Sequence, residues 1–204
     1  MKNKIIAVIG AGGKTTLIHR LAEEYRRKGA SVLVSTTTHM LVEPDTDLSC
    51  DSFAVMEKIK KTGYCMAGAV CPENSAKMQS LPEQMLHDLM KQVDYALIEA
   101  DGAKHYALKY PSEQEPVIPE GTTDVILVLG SWDLGKPCKD VVFRFEHMTS
   151  ALGISGDMKT DKQMLQWIWQ AYEEKLKNMD YQGHFHVLLS EKTDQGLMFR
   201  TLEE

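Results

Sequence analysis

The sequence predicts an α/β fold, a three-layer sandwich built on a mostly parallel sheet. Two observations lead to this prediction: apolar runs of strand length alternate with helical segments, and several of these runs end in glycine or carboxylate residues. The chain has 204 residues, of which 43% are hydrophobic, and this is enough for one sizeable core. We therefore predict a single domain over 1–204, with 150–204 as a candidate C-terminal helix–strand extension of the same sheet.

Charge and hydropathy argue against several classes of partner. The formal net charge is -6, which disfavours the broad basic surface that nucleic acids require. No apolar run approaches the length of about 20 residues that a membrane-spanning helix needs. The N-terminus leads directly into an apolar strand rather than a signal-peptide core. We expect no nucleic-acid partner, no membrane partner and a cytoplasmic location.

The first predicted strand and the turn after it carry the strongest functional signal. Residues 5–9 are all apolar, as in a strand buried on both faces, and the segment 10–16 then reads G-A-G-G-K-T-T. Glycines let backbone N–H groups turn toward an anion, and the helix that begins near Lys14 adds its own N-terminal N–H groups. Lys14 can reach the β- and γ-phosphates of a nucleotide, and the Thr15 hydroxyl can bind Mg²⁺.

This loop is more compact than the standard Walker A motif, whose spacing would put the first glycine at the position of Val8. It is similar to the G-x-x-G-K-T-T variant of Mur-type ligases and to the glycine-rich loops of metal-insertion GTPases. The sequence thus predicts a P-loop NTPase type of fold. We expect the Lys14 side chain to face solvent when no phosphate is bound.

Helical spacing of apolar residues predicts a helix from Lys14 to Lys28, which Gly29 ends. A second strand over 31–35 runs into three consecutive threonines, 36–38. Ligands in open α/β sheets lie beyond the carboxyl ends of strands, so Thr37 and Thr38 could bind Mg²⁺ or position a water. A threonine-rich strand end without chemistry is the alternative.

The middle of the chain predicts further supporting elements. We expect a short helix over 53–61, a strand over 64–70, and a helix that begins at the S-x-x-E capping box of 80–83. Cys65 and Cys71 flank this predicted strand and could be reactive, although buried free thiols are the commoner outcome. The scattered cysteines form no C-x-x-C pair, which argues against structural zinc.

An apolar strand over 95–99 ends in the second informative stretch, E-A-D-G-A-K over 99–104. A Walker B element belongs at this place, so Glu99 or Asp101 is the expected carboxylate of a Mg²⁺ site. An Asp-Gly pair at a strand end is otherwise an ordinary turn. Lys104 and Lys109 can contact phosphates or an acidic substrate, with solvated surface lysines as the alternative. A proline-rich loop over 110–119 and a buried-type strand over 124–130 follow.

Several segments follow one another in a fixed order over 1–150. They are Gly10 to Thr16, Thr36 to Met40, Ile98 to Lys104, Glu115 to Pro119, and Gly135 to Pro137 with Arg144 downstream. In this order they resemble the selenium-dependent hydroxylase accessory protein family, which is YqeC-like. The resemblance implies a metallochaperone-like P-loop NTPase and a role near molybdenum hydroxylases, with an apo-hydroxylase or its cofactor as a partner.

The C-terminal part predicts a helix from the capping box of 160–163 to about Met179 and a final strand over 186–189. The segment E-K-T-D of 191–194 follows, where related NTPases carry an Asn-Lys-x-Asp element that recognises guanine. Asp194 could pair with guanine, and a solvated turn is the alternative.

These observations combine into one functional prediction, an NTP hydrolase that uses Mg²⁺ with ATP or GTP. A small-molecule kinase or Mur-like ligase, and a nucleotide-gated binding protein with little turnover, are the alternatives. The predicted catalytic residues are Lys14, Glu99 and Asp101, and the predicted metal ligands are Thr15, Glu99 and Asp101. The predicted nucleotide-binding residues are Gly10, Ala11, Gly12, Gly13, Lys14, Thr15, Thr16, Thr37, Thr38, Lys104 and Asp194.

Overall fold

The computed structural model of the protein describes residues 3–202. The strands are β1 (Lys4–Gly10), β2 (Val32–Thr36), β3 (His39–Leu41), β4 (Tyr64–Met66), β5 (Ala69–Val70), β6 (Lys77–Gln79), β7 (Tyr95–Glu99), β8 (Leu108–Lys109), β9 (Asp124–Gly130), β10 (Val142–Phe143), β11 (His184–Thr193) and β12 (Gly196–Thr201). The helices are α1 (Lys14–Arg27), α2 (Ser52–Thr62), α3 (Glu83–Lys91), α4 (Cys138–Val141), α5 (Phe145–Leu152) and α6 (Lys162–Asn178). None of the helices within 3–202 is long and apolar enough to cross a lipid bilayer.

Seven strands form one mostly parallel sheet in the order β12-β11-β9-β1-β7-β2-β4, which confirms the predicted α/β class. β7 lies between β1 and β2 and pairs in parallel with both, and β2 pairs in parallel with β4. β11 and β12 form an antiparallel hairpin. Two smaller sheets accompany the large one, an antiparallel β3-β6-β5 sheet and a parallel β8-β10 pair.

The described residues divide into two compact units. The first unit comprises 3–8, Thr15–Gly102 and Val117–Asp124. The second unit comprises Ile9–Lys14, Ala103–Pro116 and 125–202. The boundary between the units falls inside β1 and again between Lys14 and Thr15, which are consecutive residues of α1.

The core of the first unit is an apolar cluster that α2 and α3 form with the strands β1, β7, β2 and β4. Its buried members are Ile5, Leu33, Val55, Ile59, Cys65, Ala67, Leu81, Leu86, Leu89, Met90, Val93, Ala96 and Ile98. Burial in this cluster raises the pKa of the Cys65 thiol to about 11. Cys65 is therefore protonated at neutral pH, and Cys71 is buried as well, so these two are the unreactive kind of thiol.

Two predicted elements of the first unit differ from the structure. The predicted strand over 64–70 is divided between β4 and β5. Gly68 lies between them, packed so closely that an added Cβ would lie 2.6 Å from the Met78 sulfur. The capping box at Ser80 is wrong. The Ser80 hydroxyl donates to the Leu81 carbonyl, and α3 begins only at Glu83, because Pro82 keeps the residue before it out of helical conformation.

The second unit buries one face of α6 and most of β9. The buried α6 residues, at helical spacing, are Met164, Leu165, Ile168, Tyr172 and Leu176. Asp161, rather than Thr160, caps this helix by accepting from the Met164 N–H at 2.9 Å. The Thr160 hydroxyl instead donates to the carbonyl groups of Asp133 and Lys136. β11 is longer than the predicted strand, and β12 was not predicted, because its partly exposed residues give only a weak strand pattern.

Candidate functional site

The glycine loop, residues 10–13, lies in the second unit directly against the backbone of two neighbouring segments. Gly10, Gly12 and Gly13 have φ angles of 86°, 83° and 115°. A Cβ on Gly10 would lie 2.3 Å from the Val128 carbonyl oxygen. A Cβ on Gly12 would lie 2.6 Å from the Ala107 carbonyl oxygen and from the Gly130 Cα. Only glycine satisfies both the positive φ and the close approach at these positions.

Hydrogen bonds to one carbonyl and one N–H group of its backbone hold the glycine loop. The buried Ser190 hydroxyl donates to the Gly12 carbonyl, and the Ala11 N–H donates to the Val128 carbonyl at 2.9 Å. Gly12 is buried, yet neither Gly12 nor Gly13 donates its backbone N–H to any of residues 3–202. Buried N–H groups are normally satisfied, so the Gly12 donor, with that of the half-buried Gly13 beside it, points to a ligand with acceptor oxygens.

Lys14 begins α1 and folds back over the glycine loop. Its side chain is buried, with Lys14 5% exposed, and its Nζ donates to the Gly10 carbonyl at 2.8 Å. The expectation that Lys14 faces solvent is therefore wrong, because the ammonium finds an acceptor within its own loop. A bound phosphate would compete with the Gly10 carbonyl for the same ammonium group. α1 carries no acidic residue in its first turn, which leaves the positive end of its dipole without a carboxylate from the helix itself.

The residue after Lys14 contacts the predicted Walker B carboxylate, and both lie in the first unit. The Thr15 hydroxyl donates to Oε2 of Glu99 at 3.0 Å. Glu99 is buried at the carboxyl end of β7 and stands opposite Val8 of β1 and Thr36 of β2 in the sheet. The parallel register thus brings Glu99 to the edge of the sheet where the first turn of α1 begins.

Asp101, two residues after Glu99, is fully buried at a bend of the chain. The residue between them, Ala100, donates its N–H to the Val8 carbonyl at 3.0 Å and accepts from the Val117 N–H at 2.9 Å. Both predicted carboxylates therefore lie in the first unit within three residues of each other. The hydrogen bond to Thr15 brings Glu99 into direct contact with the first turn of α1.

The threonines after β2 connect the ends of neighbouring strands. The Thr36 hydroxyl donates to the Glu99 carbonyl at 2.9 Å and accepts from the Thr38 N–H at 3.0 Å. The Thr37 hydroxyl donates to the Val117 carbonyl at 2.7 Å. Thr37 thus holds the chain that follows Pro116, and Thr38 lies next to the strand end that carries Glu99.

The other predicted nucleotide-binding residues lie in different surroundings. Thr16 is half-buried in the first turn of α1. Lys104 is exposed, has a φ of 45°, and places its Nζ 5.3 Å from the centroid of the Phe143 ring. Asp194 is exposed in the turn between β11 and β12. The Nζ of Lys192, two residues before Asp194, lies 4.6 Å from the centroid of the Trp132 ring.

Ser190 and Ala107 support the glycine loop, and sequence reasoning missed both. Ser190 follows an apolar stretch of β11 as a single hydroxyl, and this pattern gave no signal of its contact with Gly12. Ala107 acts through its carbonyl, which also accepts from the Gly130 N–H at 2.9 Å. A backbone contact of this kind leaves no trace in the side-chain pattern.

Comparison with known proteins gives one family match. A family model described as YqeC protein matches residues 6–146, which include the glycine loop, Glu99 and Arg144. A protein of Escherichia coli (strain K12) named "Uncharacterized protein YqeC" is 34% identical to the chain over 161 residues. The alignment covers 75% of this chain and 62% of that protein, so the chain spans less than two thirds of the relative's length. No solved structure matches the chain.

The close packing of Gly12 leads to a stability prediction. We expect Gly12→Ala to lower the free energy of unfolding by about 2–4 kcal/mol, since a positive φ and a backbone clash each cost about 1–2 kcal/mol. Gly135→Ala is the matched control, because Gly135 has a φ of 92° and no atom within 4 Å of an added Cβ. It should cost about 1 kcal/mol. Urea denaturation measures both, and equal losses would contradict the packing argument.

Proposed function

The chain belongs to the YqeC family, as the resemblance seen in its sequence indicated, and on this premise we propose that it binds and hydrolyses ATP or GTP with Mg²⁺. The proposed fold type is that of P-loop NTPases, with helices in layers on both faces of the mostly parallel sheet. The protein then acts as an NTP hydrolase in the cytoplasm, with no nucleic-acid partner.

The glycine loop is the observation that carries this proposal. Its Gly12 and Gly13 N–H groups meet no acceptor within residues 3–202, and the loop leads directly into the N-terminus of α1. Backbone donors at a helix N-terminus are suited to phosphate oxygens. Lys14 adds a positive charge, and Ala11 and Thr16 complete the segment that would surround the phosphates.

Thr15 and Glu99 are the proposed Mg²⁺ ligands. Both offer oxygen atoms, and the hydrogen bond of 3.0 Å between them places these atoms within reach of a single small ion. Mg²⁺ is usually held by one or two carboxylates together with substrate phosphates, so two protein side chains are sufficient. Asp101 is the second candidate carboxylate. When bound, Mg²⁺ would neutralise the negative charge that develops on the phosphates during phosphoryl transfer.

Thr37 holds the chain that follows Pro116. Its hydroxyl holds the Val117 carbonyl at 2.7 Å, in the first unit, and Thr38 follows it at the end of β2. A bound nucleotide that engaged Thr37 or Thr38 would compete with such contacts. We propose that the segment around Val117 changes conformation between nucleotide states, as switch loops do.

The physiological role that we propose is the maturation of a selenium-dependent molybdenum hydroxylase. The protein would use nucleotide turnover to handle the cofactor of this enzyme or to remodel the apo-enzyme. The resemblance seen in the sequence supports this role, while the site itself supports only nucleotide binding.

Two alternatives make different kinetic predictions. A small-molecule kinase or Mur-like ligase releases nucleoside diphosphate only when its acceptor is present. A nucleotide-gated binding protein binds nucleotide tightly with negligible turnover.

A thermal-shift screen of ATP, GTP and CTP with Mg²⁺ identifies the base and tests whether Asp194 favours guanine.

We predict that Lys14→Ala weakens Mg-nucleotide binding by about 10- to 100-fold, because it removes a charge-assisted hydrogen bond to phosphate. Calorimetric titration with ATP and GTP measures this effect. Lys28→Ala is the control, since Lys28 lies beyond the other end of α1 and its ammonium pairs with Glu24. Circular dichroism establishes that both variants are folded. Wild-type affinity in a folded Lys14→Ala protein would disprove the site.

We predict that Glu99→Gln leaves nucleotide affinity without Mg²⁺ unchanged and lowers its Mg²⁺-dependent part by about 10- to 100-fold. The glutamine can still accept the Thr15 hydrogen bond but lacks the charge that attracts the ion. Mg²⁺ titration at fixed nucleotide concentration, with turnover measured in parallel, checks this result. Asp101→Asn is assayed beside it, and the variant with the larger loss identifies the main ligand. Unchanged Mg²⁺ dependence in both would remove these carboxylates from the site.

A deletion strain tests the maturation role. We expect xanthine-dehydrogenase-type activity, and the molybdenum and selenium content of the purified hydroxylase, to fall in this strain. Wild-type protein should restore them, and Lys14→Ala should not. A fully loaded and active hydroxylase in the deletion strain would exclude the maturation role and leave the nucleotide site untouched.

A further inference from the structure

Three cationic side chains surround one aromatic ring in the second unit. The Lys104 Nζ, the Lys109 Nζ and the Arg144 Cζ lie 5.3, 5.9 and 5.2 Å from the centroid of the Phe143 ring. Glu115 is the carboxylate that pairs with two of them. We call these five residues the Phe143 cluster.

Glu115 fixes the position of the Arg144 guanidinium. Its Oε2 lies 2.8 Å from the Lys109 Nζ and 2.8 Å from Nη1 of Arg144. The Lys109 side chain is 0% exposed, so its charge is held inside the unit and the Glu115 carboxylate is held with it. Nη1 of Arg144 also donates to the Ser112 hydroxyl. The guanidinium is thereby anchored at Nη1 by two partners.

The remaining donors of the cluster are open. Nε and Nη2 of Arg144 meet no acceptor among residues 3–202, and the Arg144 side chain is 26% exposed. The Lys104 ammonium is exposed and has no carboxylate within ion-pairing distance among residues 3–202. An oriented guanidinium edge beside a lysine is the arrangement that recognises a carboxylate or phosphoryl group.

Backbone strain is concentrated at the same place. Five non-glycine residues among 3–202 have a positive φ, and three of them are Lys104, His105 and Arg144, at 45°, 66° and 64°. Such conformations cost free energy and persist only where the surrounding structure enforces them, most often at ligand sites. The two segments that carry the open donors are therefore both held in unfavourable conformations.

We propose that the Phe143 cluster binds an oxyanion, the carboxylate or phosphoryl group of a small molecule, through Lys104 and the open edge of Arg144. Lys109 and Glu115 are positioning residues that hold the guanidinium in place. The cluster belongs to the chain segment whose Ala107 carbonyl packs on Gly12, so its geometry is tied to the glycine loop. The anion site does not depend on the proposed function. Only the further step, that the oxyanion belongs to a second ligand beside the nucleotide, rests on it.

Nuclear magnetic resonance titration tests this proposal in the full-length protein. Inorganic phosphate and acetate are added separately at constant ionic strength, with sodium chloride as the blank, while the Arg144 Nε–H and Phe143 ring signals are followed. Lys104→Gln removes the positive charge of an exposed member of the cluster. Lys177→Gln is the matched control, since Lys177 is exposed on α6 and pairs with Glu173. Lys14→Ala separates this site from the glycine loop.

We expect the Arg144 and Phe143 signals to shift and reach a plateau as phosphate or acetate is added. The anion with the lower dissociation constant shows which oxyanion class the site prefers. The response should persist in Lys14→Ala and Lys177→Gln and weaken about tenfold or more in Lys104→Gln. An absent response to both anions, an unchanged response in Lys104→Gln, or a response lost in Lys14→Ala would overturn the proposal. A failure of nucleotide binding alone would leave these signals responsive, so the two proposals fail separately.

Discussion

The contact between the Gly12 backbone and the carbonyl of Ala107 is the constraint that sets the geometry of the glycine loop. This contact, together with the approach of Gly10 to Val128, leaves no room for a side chain at either glycine. The backbone is therefore fixed at φ values that turn its carbonyl groups toward Ser190 and Lys14. The N–H groups of Gly12 and Gly13 are left for a ligand, and the helix that follows begins at a defined place.

From this constraint the chemistry of the first turn of α1 follows in order along the chain. Lys14 folds back on the loop, and Thr15, the next residue, contacts Glu99 at the end of β7. The two residues bind different groups, since the Lys14 ammonium attracts phosphate and the Glu99 carboxylate attracts a metal ion. Nucleotide affinity and metal dependence should therefore be separable by mutation.

The sequence predicted the parts of this protein whose signal is local. An apolar run, three glycines and K-T-T gave β1, the loop and α1, and an apolar run that ends in Glu99 gave β7. Contacts made by carbonyl groups or by isolated hydroxyls were not predictable, as Ala107 and Ser190 illustrate. The burial of Lys14 was also missed, because its acceptor is a backbone atom of its own loop. The Phe143 cluster was visible only as separate lysines, since Arg144 lies 40 residues beyond Lys104 and joins it through the fold.

A crystal structure with Mg²⁺ and a non-hydrolysable ATP or GTP analogue is the sharpest test of the proposed nucleotide site. We expect phosphate oxygens to accept hydrogen bonds from the N–H groups of Gly12 and Gly13. We also expect the Lys14 ammonium to leave the Gly10 carbonyl for the phosphates, and Mg²⁺ to contact the Thr15 hydroxyl. A nucleotide bound elsewhere, with Lys14 still donating to Gly10, would contradict the proposed site.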